Sequence, residues 1–210
     1  MKKALTRTER KRRSDGERSR KAILHQAAKL ATVEGLSGLS IARLADAVGM
    51  SKSGLFAHFG SKEELQLATI DAAGVIFAAE VVEPALVEPT GIGRLRALAE
   101  RFLDHVGRRV FPGGCFFASI AAEMDTHPGP VRDKAIEVVA DWSDHLVAAA
   151  QAAREEGALG PAEDAEQLAF EIDAYLLLAN AEFVISGAAA PLDRARLAIG
   201  RRLVEAAPST

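Results

Sequence analysis

Apolar residues recur at helical spacing along most of the chain, and the pattern is clearest between Ser40 and Phe59. Ser40 can cap a helix that carries Ile41, Leu44, Ala45 and Val48 along one face. Gly49 follows, where a helix ends in a left-handed residue that glycine adopts without steric cost. Ser51 then caps a second short helix whose Leu55 and Phe59 return to the same core. Upstream, Ser14 and Glu17 form a capping box, and Ile23, Leu24, Ala27, Leu30 and Ala31 keep helical spacing up to Glu34-Gly35. Downstream, Ser61 and Glu64 form another box. It opens a helix through Leu65, Ala68, Ile70, Ala72, Val75 and Phe77 to about Val81. Two short helices, a glycine turn and a small Ala45 at the closest approach make a helix-turn-helix.

The rest of the chain continues in helices. Pro84 and Pro89 are expected to break the rod that starts at Lys62. Residues 93–110 carry Leu95, Leu98, Phe102, Leu103 and Val106 along an inner side, and Pro112-Gly113-Gly114 stops them. A short apolar helix spans 115–124. Pro130 suits the first position of the next helix, which ends at Gly157. Residues 164–185 are apolar on most of the helix circumference, through Leu168, Ala169, Ile172, Tyr175, Leu176, Leu178, Ala179 and Phe183. A last helix, 191–206, carries Leu192, Ala195, Ile199 and Leu203. No alternating strand pattern of useful length and no internal repeat are visible. The expected fold is all-α, an N-terminal three-helix head with a helix-turn-helix followed by a larger helical body.

Composition sharpens this only in part. Apolar residues make up 49% of 210 and aromatics 5%, which suits Ala- and Leu-rich helices. The single cysteine, Cys115, excludes an internal disulfide framework and suits a reducing cytoplasm. No signal-peptide pattern and no apolar run of membrane-spanning length are read, so no membrane is expected. The net charge of −3 hides an asymmetry. Residues 1–65 hold 14 Lys and Arg against 7 Asp and Glu, and the remainder 12 against 22. A basic head on an acidic body is what binding a polyanion through one end requires. The expected division is a basic, mobile arm at 1–17 (or a backward extension of the first helix), a DNA-binding head at 18–65 and a body at 66–210.

A helix-turn-helix sets its second helix in the DNA major groove with the start of that helix facing base edges. Those positions are Ser51, Lys52, Ser53 and Gly54, short or flexible enough for close backbone approach. Two ordinary core helices joined by a tight turn would show the same local pattern. The longer string MSKSGLFAHFGSKEEL is more specific and resembles the signature of the TetR family of bacterial transcriptional repressors. That signature usually reads small residue, Leu, Tyr, any, His, Phe, any, Ser or Asn, Lys, then acid and Leu. Leu55, His58, Phe59, Ser61, Lys62 and Leu65 stand at its positions, and the resemblance covers residues 18 to 66. Phe56 departs from it, standing where the family's tyrosine gives a hydroxyl to a phosphate.

The resemblance implies a homodimer on a palindromic double-stranded operator, acting as a repressor released by a small-molecule inducer. His58 and Lys62 would contact phosphates, Lys52 and Ser53 bases, with Ser51, Gly54, Phe56, Arg43 on the first short helix and Arg18 counted in the same surface. The family's last two long helices pair across the dimer. Read with the apolar 164–185 helix, this makes Leu168, Ile172, Leu176, Phe183, Ile199 and Leu203 the expected interface. A central helix buried inside one subunit is the alternative. The body's inducer pocket is expected among Phe102, His105, Phe116, Phe117, Met124, Trp142, His145, Tyr175 and Asn180, each of which core packing would also explain.

No catalytic set, cofactor motif or metal motif is read. Glu123, Asp125 and His127 lack a zinc spacing, and Cys115 has no basic sequence neighbour to activate it. The rival readings are a helical small-molecule-binding enzyme or interaction protein with a helix-turn-helix that binds no DNA, and a nonspecific DNA-associating protein.

Overall fold

The computed structural model describes residues 7–124 and 128–208, with side chains from Gly16 onward. The described residues contain helices and no strand. The head comprises α1 (Arg7–Glu34), α2 (Ile41–Val48) and α3 (Lys52–Phe56). The body comprises α4 (Lys62–Phe77), a π-helical turn (Ala78–Val82), α5 (Glu83–Leu86), α6 (Gly91–Gly107), α7 (Phe116–Met124), α8 (Pro130–Glu155), α9 (Ala165–Ser186) and α10 (Ala190–Glu205).

The head is built as its apolar spacing dictates. Ser40, Ser51 and Ser61 each accept a hydrogen bond from the backbone N–H three residues on, capping α2, α3 and α4. Gly49 is left-handed at φ 66°, and the Met50 N–H closes the helix end on the Ala45 carbonyl at 2.9 Å. Leu36, Leu39, Leu44, Ala45, Leu55 and Leu65 are fully buried beside Ile23, Ala27 and Phe59. Each such leucine contributes roughly 1.5–3 kcal/mol over leaving it exposed, and together they fix the angle of α3 on α1 and α2.

Two expectations about helix ends change. α1 runs from Arg7, so Ser14 and Glu17 lie inside it and not at its start; of the two alternatives for the basic segment, residues 7–17 follow the backward extension of the first helix. The Arg, Lys and Glu around them are good helix formers, which carries the helix through. The question of a mobile arm before Arg7 falls outside the described residues. Pro84 likewise does not break the rod from Lys62. It occupies the first turn of α5, where no intrahelical N–H is needed, and the π-turn before it absorbs the change of register.

The resulting 25-residue run, Lys62–Leu86, is apolar and long enough to cross a membrane, against the expectation that no run reaches that length. Its inner residues Leu65, Thr69, Ile70, Ala73, Phe77 and Val81 are buried, and it packs on α1, α6 and α8. That is the ordinary setting of a core helix.

Head and body are joined by more than this rod. The Gly113 N–H donates to Thr32 Oγ1 on α1 at 3.1 Å. A Cβ on Gly113 would lie 1.9 Å from the Thr32 carbonyl oxygen, so the two backbones meet where only glycine fits. On the far side, α9 and α10 pack as an antiparallel pair. Arg196 of α10 is held by Glu100 at 2.8 Å and Asp104 at 3.1 Å on α6.

Candidate nucleic-acid interface and body cavities

Ser51, Lys52 and Ser53 are exposed at the start of α3, and Gly54 is half-buried. The Ser51 hydroxyl accepts from the Gly54 N–H at 3.1 Å and lies 3.3 Å from the Ser53 hydroxyl, so this turn is ordered before any partner arrives. Phe56, at 52% exposure, presents its ring to solvent on the same short helix. His58 is half-buried.

The remaining expected contacts are present but engaged. Lys62 Nζ donates to the Ser37 carbonyl. Arg43 makes two hydrogen bonds to one carboxylate oxygen of Glu34 on α1, at 2.8 and 3.0 Å, which raise its already high pKa. Both cations face solvent, so a phosphate would compete with an existing partner rather than meet an idle side chain. Arg18 is exposed on α1. Arg20, expected with Arg18 and Lys21 to reach phosphates from the first helix, is turned to another task. Its guanidinium lies 4.4 Å from the Phe59 ring centroid and donates to the His58 carbonyl, tying the end of α3 to α1.

A second network links this head to the body. Both carboxylate oxygens of Glu123, on α7, accept backbone N–H groups from the turn after α1: Leu36 at 2.7 Å and Ser37 at 2.6 Å. The carbonyl of Leu36 accepts from Gln66 Nε2 at 2.9 Å. The turn that sets α2 on α1 is therefore gripped from α4 and α7 at once. Glu123 is thus occupied by the turn; Asp125 and His127, grouped with it above, lie outside the described residues.

The expected pocket residues do not all fall together. Phe102, His105, Phe116, Phe117, Met124 and Trp142 are buried together. Phe77, which sequence spacing marked only as a stripe residue, is their hub. Its ring lies edge-on to Trp142 at 5.3 Å, Phe117 at 5.6 Å, His105 at 5.7 Å and Phe102 at 6.3 Å between centroids. Burial lowers the pKa of His105 to about 4, so this imidazole is neutral. His145 stands apart, half-buried at the rim of a cavity of about 250 Å³ between α4, the π-turn and α8. Asn180 is a structural cap, its Oδ1 accepting the Cys115 N–H at 2.8 Å just before α7. Tyr175 is half-buried on α9.

Trp142 donates to Asp173 at 2.8 Å, and burial raises that carboxyl's pKa against the effect of the indole hydrogen bond. Cys115 is buried, with its thiol pushed up to about 11 by desolvation, the state of an unreactive packing group. A wider cleft of about 700 Å³ lies between α1 and α4, lined by Leu24, Ala68, Ala72, Val75 and Ile76 with charged residues at its edge.

The expected interface set needs correction. Leu168, Ile172 and Leu176 are fully buried, and Phe183, Ile199 and Leu203 are 3–6% exposed within the chain itself. None is available to a second copy. The apolar side chains left in solvent on these two helices are Phe170, Leu177, Leu178 and Ile185 on α9 and Leu197 and Val204 on α10.

Residues 23–69 match the family described as bacterial regulatory proteins, tetR family, and residues 91–199 match the tetracyclin repressor-like C-terminal domain. An HTH-type transcriptional repressor of Corynebacterium efficiens, AcnR, is 39% identical over 70 residues, which span 33% of this chain and 37% of that protein. Among solved structures, a TetR transcriptional regulator of Chloroflexus aurantiacus superposes with a TM-score of 0.84 at 26% identity, covering 91% of this chain and 97% of its own. AibR, solved with isovaleryl coenzyme A and operator DNA, gives 0.72 at 26% identity, covering 87% and 96%.

Proposed function

The chain belongs to the TetR family of bacterial regulatory proteins, and from that premise we propose that it is a repressor that binds a palindromic operator as a homodimer and is released by a small molecule held in its body. The observation that carries the DNA-binding half is the exposed, capped start of α3, with Ser51, Lys52 and Ser53 presented by a rigid head. Its position in the fold is that of a recognition helix, whose first residues read base edges. AibR, of like fold, is known on operator DNA, which supports the same use here. The family assignment does not favour the reading as a helical enzyme. The domain boundary is placed at Leu65, so that α4 leaves the head as the rod between the DNA surface and the body, and the protein works in the cytoplasm.

Lys52 and Ser53 are the base-reading residues of this proposal, with Arg18, Arg43, His58 and Lys62 on phosphates. Selection of bound sequences from random duplex DNA, followed by titration of the selected site, tests it directly. Affinity should fall steeply with salt as phosphate contacts release counterions. Lys52→Ala should lower affinity about tenfold and relax the preference at one base position in each half-site. Failure to enrich any palindrome would overturn the proposal.

Phe56 gives a second expected outcome. Its ring is exposed where the TetR signature carries a phosphate-binding tyrosine, so only a hydroxyl is missing. A hydrogen bond to a charged group contributes about 1.5–3 kcal/mol when well made. Phe56→Tyr should therefore tighten binding about tenfold, on the selected site and on a scrambled duplex alike, because phosphates carry no base information. Equal or weaker binding in paired titrations at one salt concentration would place α3 at another angle to the groove.

A further inference from the structure

We propose that the cavity between α4 and α8 is the mouth of the effector site, that the ring of Phe77 is its inner gate, and that the site ends on His105 and takes a flat molecule with one uncharged hydrogen-bonding head, such as a phenol or an aromatic ketone. The inference rests on the reading of the body as the ligand-binding half.

His105 is 0% exposed, and among the described residues neither of its ring nitrogens has a hydrogen-bond partner. Buried polar groups are normally paired, and an orphaned one points to a strain, a catalytic or a ligand role. Its ring is set among Phe77 and Phe111, at 5.7 Å centroid distance from each. Phe77 has two faces to the matter. It lines the cavity together with Gly74, Ala78, Val82, Val138 and Trp142, and it stands edge-on against His105 behind it. A turn of this one ring joins the cavity to the imidazole.

The backbone at that point is the least regular in the rod. The π-helical turn Ala78–Val82 begins at the residue after Phe77, and such turns often mark functional positions. Gly74, one turn earlier on α4, faces the same cluster: a Cβ there would make ordinary contact with the tip of Phe117, at 3.9 Å.

The chemistry of the walls selects the ligand. The rings of Phe77, Phe102, Phe117 and Trp142 meet edge-on or stacked, surfaces that prefer a flat aromatic partner. A neutral imidazole offers one donor and one acceptor, which suits a hydroxyl or carbonyl. A carboxylate or ammonium at this depth would be a buried charge, and the two charges felt at His105, Glu80 and Arg108, already pair with each other. Asp71, Lys134, Asp141 and His145 lie at the rim, where they reach only the outer end of a bound molecule.

The test uses 2-naphthol, naphthalene and 2-naphthoate as probes, with binding followed by isothermal titration of the full chain in the absence of DNA. 2-Naphthol should bind at least tenfold tighter than either of the others. His105→Phe keeps a ring in place and removes the polar atoms. It should raise the melting temperature and bring 2-naphthol down to the affinity of naphthalene, which should itself be unchanged. Val138→Trp, at the mouth, should abolish binding of both and keeps the test open if His105→Phe does not fold. Equal binding of 2-naphthol and naphthalene to the wild type, unchanged 2-naphthol binding by His105→Phe, or no binding of any probe would overturn the proposal. Because the readout is ligand binding and not DNA release, a failure of the regulator reading would show separately, in the operator titrations.

Discussion

Leu178→Glu is expected to turn the proposed dimer into a monomer, with loss of tight operator binding. α9 carries two apolar stripes. One, through Leu168, Ile172, Leu176 and Phe183, is buried in its own subunit. The other leaves Phe170, Leu177, Leu178 and Ile185 exposed at 41–85%, and α10 adds Leu197 and Val204 at 54% and 71% beside it. Contiguous exposed apolar surface of this kind marks an interaction site. In a two-fold dimer every substitution enters the interface twice. An unpaired carboxylate buried there costs at least ~3 kcal/mol, so two weaken association by roughly four powers of ten. Sedimentation equilibrium should show monomers at concentrations where the wild type is dimeric. Circular dichroism should show the same helical content, because Leu178 faces away from its own core. Leu176→Glu is the contrasting control, since it should unfold the protomer itself. A wild type that sediments as a stable monomer would end the dimer proposal.

The same helix shows what sequence can and cannot yield. Its apolar circumference announced burial on two sides; one side is buried within the subunit and the other is exposed in it. Which stripe faced which side was not legible, because Leu176 and Leu178 are equally apolar and only the packing of α6, α8 and α10 distinguishes them. From Ser40 to Leu65 the head was legible almost to the residue, since the three serine caps, the Gly49 turn and the Leu44-Leu55-Leu65 core are all local features with local causes. Pro84 misled because its effect depends on position within a helix, and a π-turn is invisible in spacing. The hydrogen bonds of Glu123 cross more than eighty residues, so no neighbouring residue foretells them. Phe77 read as one more stripe position, and its role as hub depends on three other elements, α6, α7 and α8, arriving around it.

Glu123→Ala should loosen the head without touching any DNA-facing residue. The carboxylate accepts the N–H groups of Leu36 and Ser37, and Gly35 beside them, left-handed at φ 81°, lets it approach: a Cβ there would lie 3.2 Å from the oxygens. Each hydrogen bond to a charged group contributes about 1.5–3 kcal/mol, and partial exposure of this turn holds the pair to about 3 kcal/mol together. Hydrogen exchange at the Leu36 and Ser37 amides should then speed up on the order of a hundredfold, since each 1.36 kcal/mol is a factor of ten. The consequence reaches function because α7 also carries Phe117, 5.6 Å from the Phe77 ring at the gate proposed above. An effector that moves Phe77 shifts α7, and α7 pulls on the turn that orients α2 and α3. Coupling of this kind requires that the effector bind two head arrangements with different affinity. Glu123→Ala should therefore retain operator binding within about tenfold while flattening the change in operator affinity that the effector causes. Glu123→Gln, which keeps one carbonyl acceptor, should fall between the two. Unchanged exchange at Leu36 and Ser37 would mean that α4, through Gln66 and Lys62, holds the turn alone, and the link through α7 would have to be abandoned.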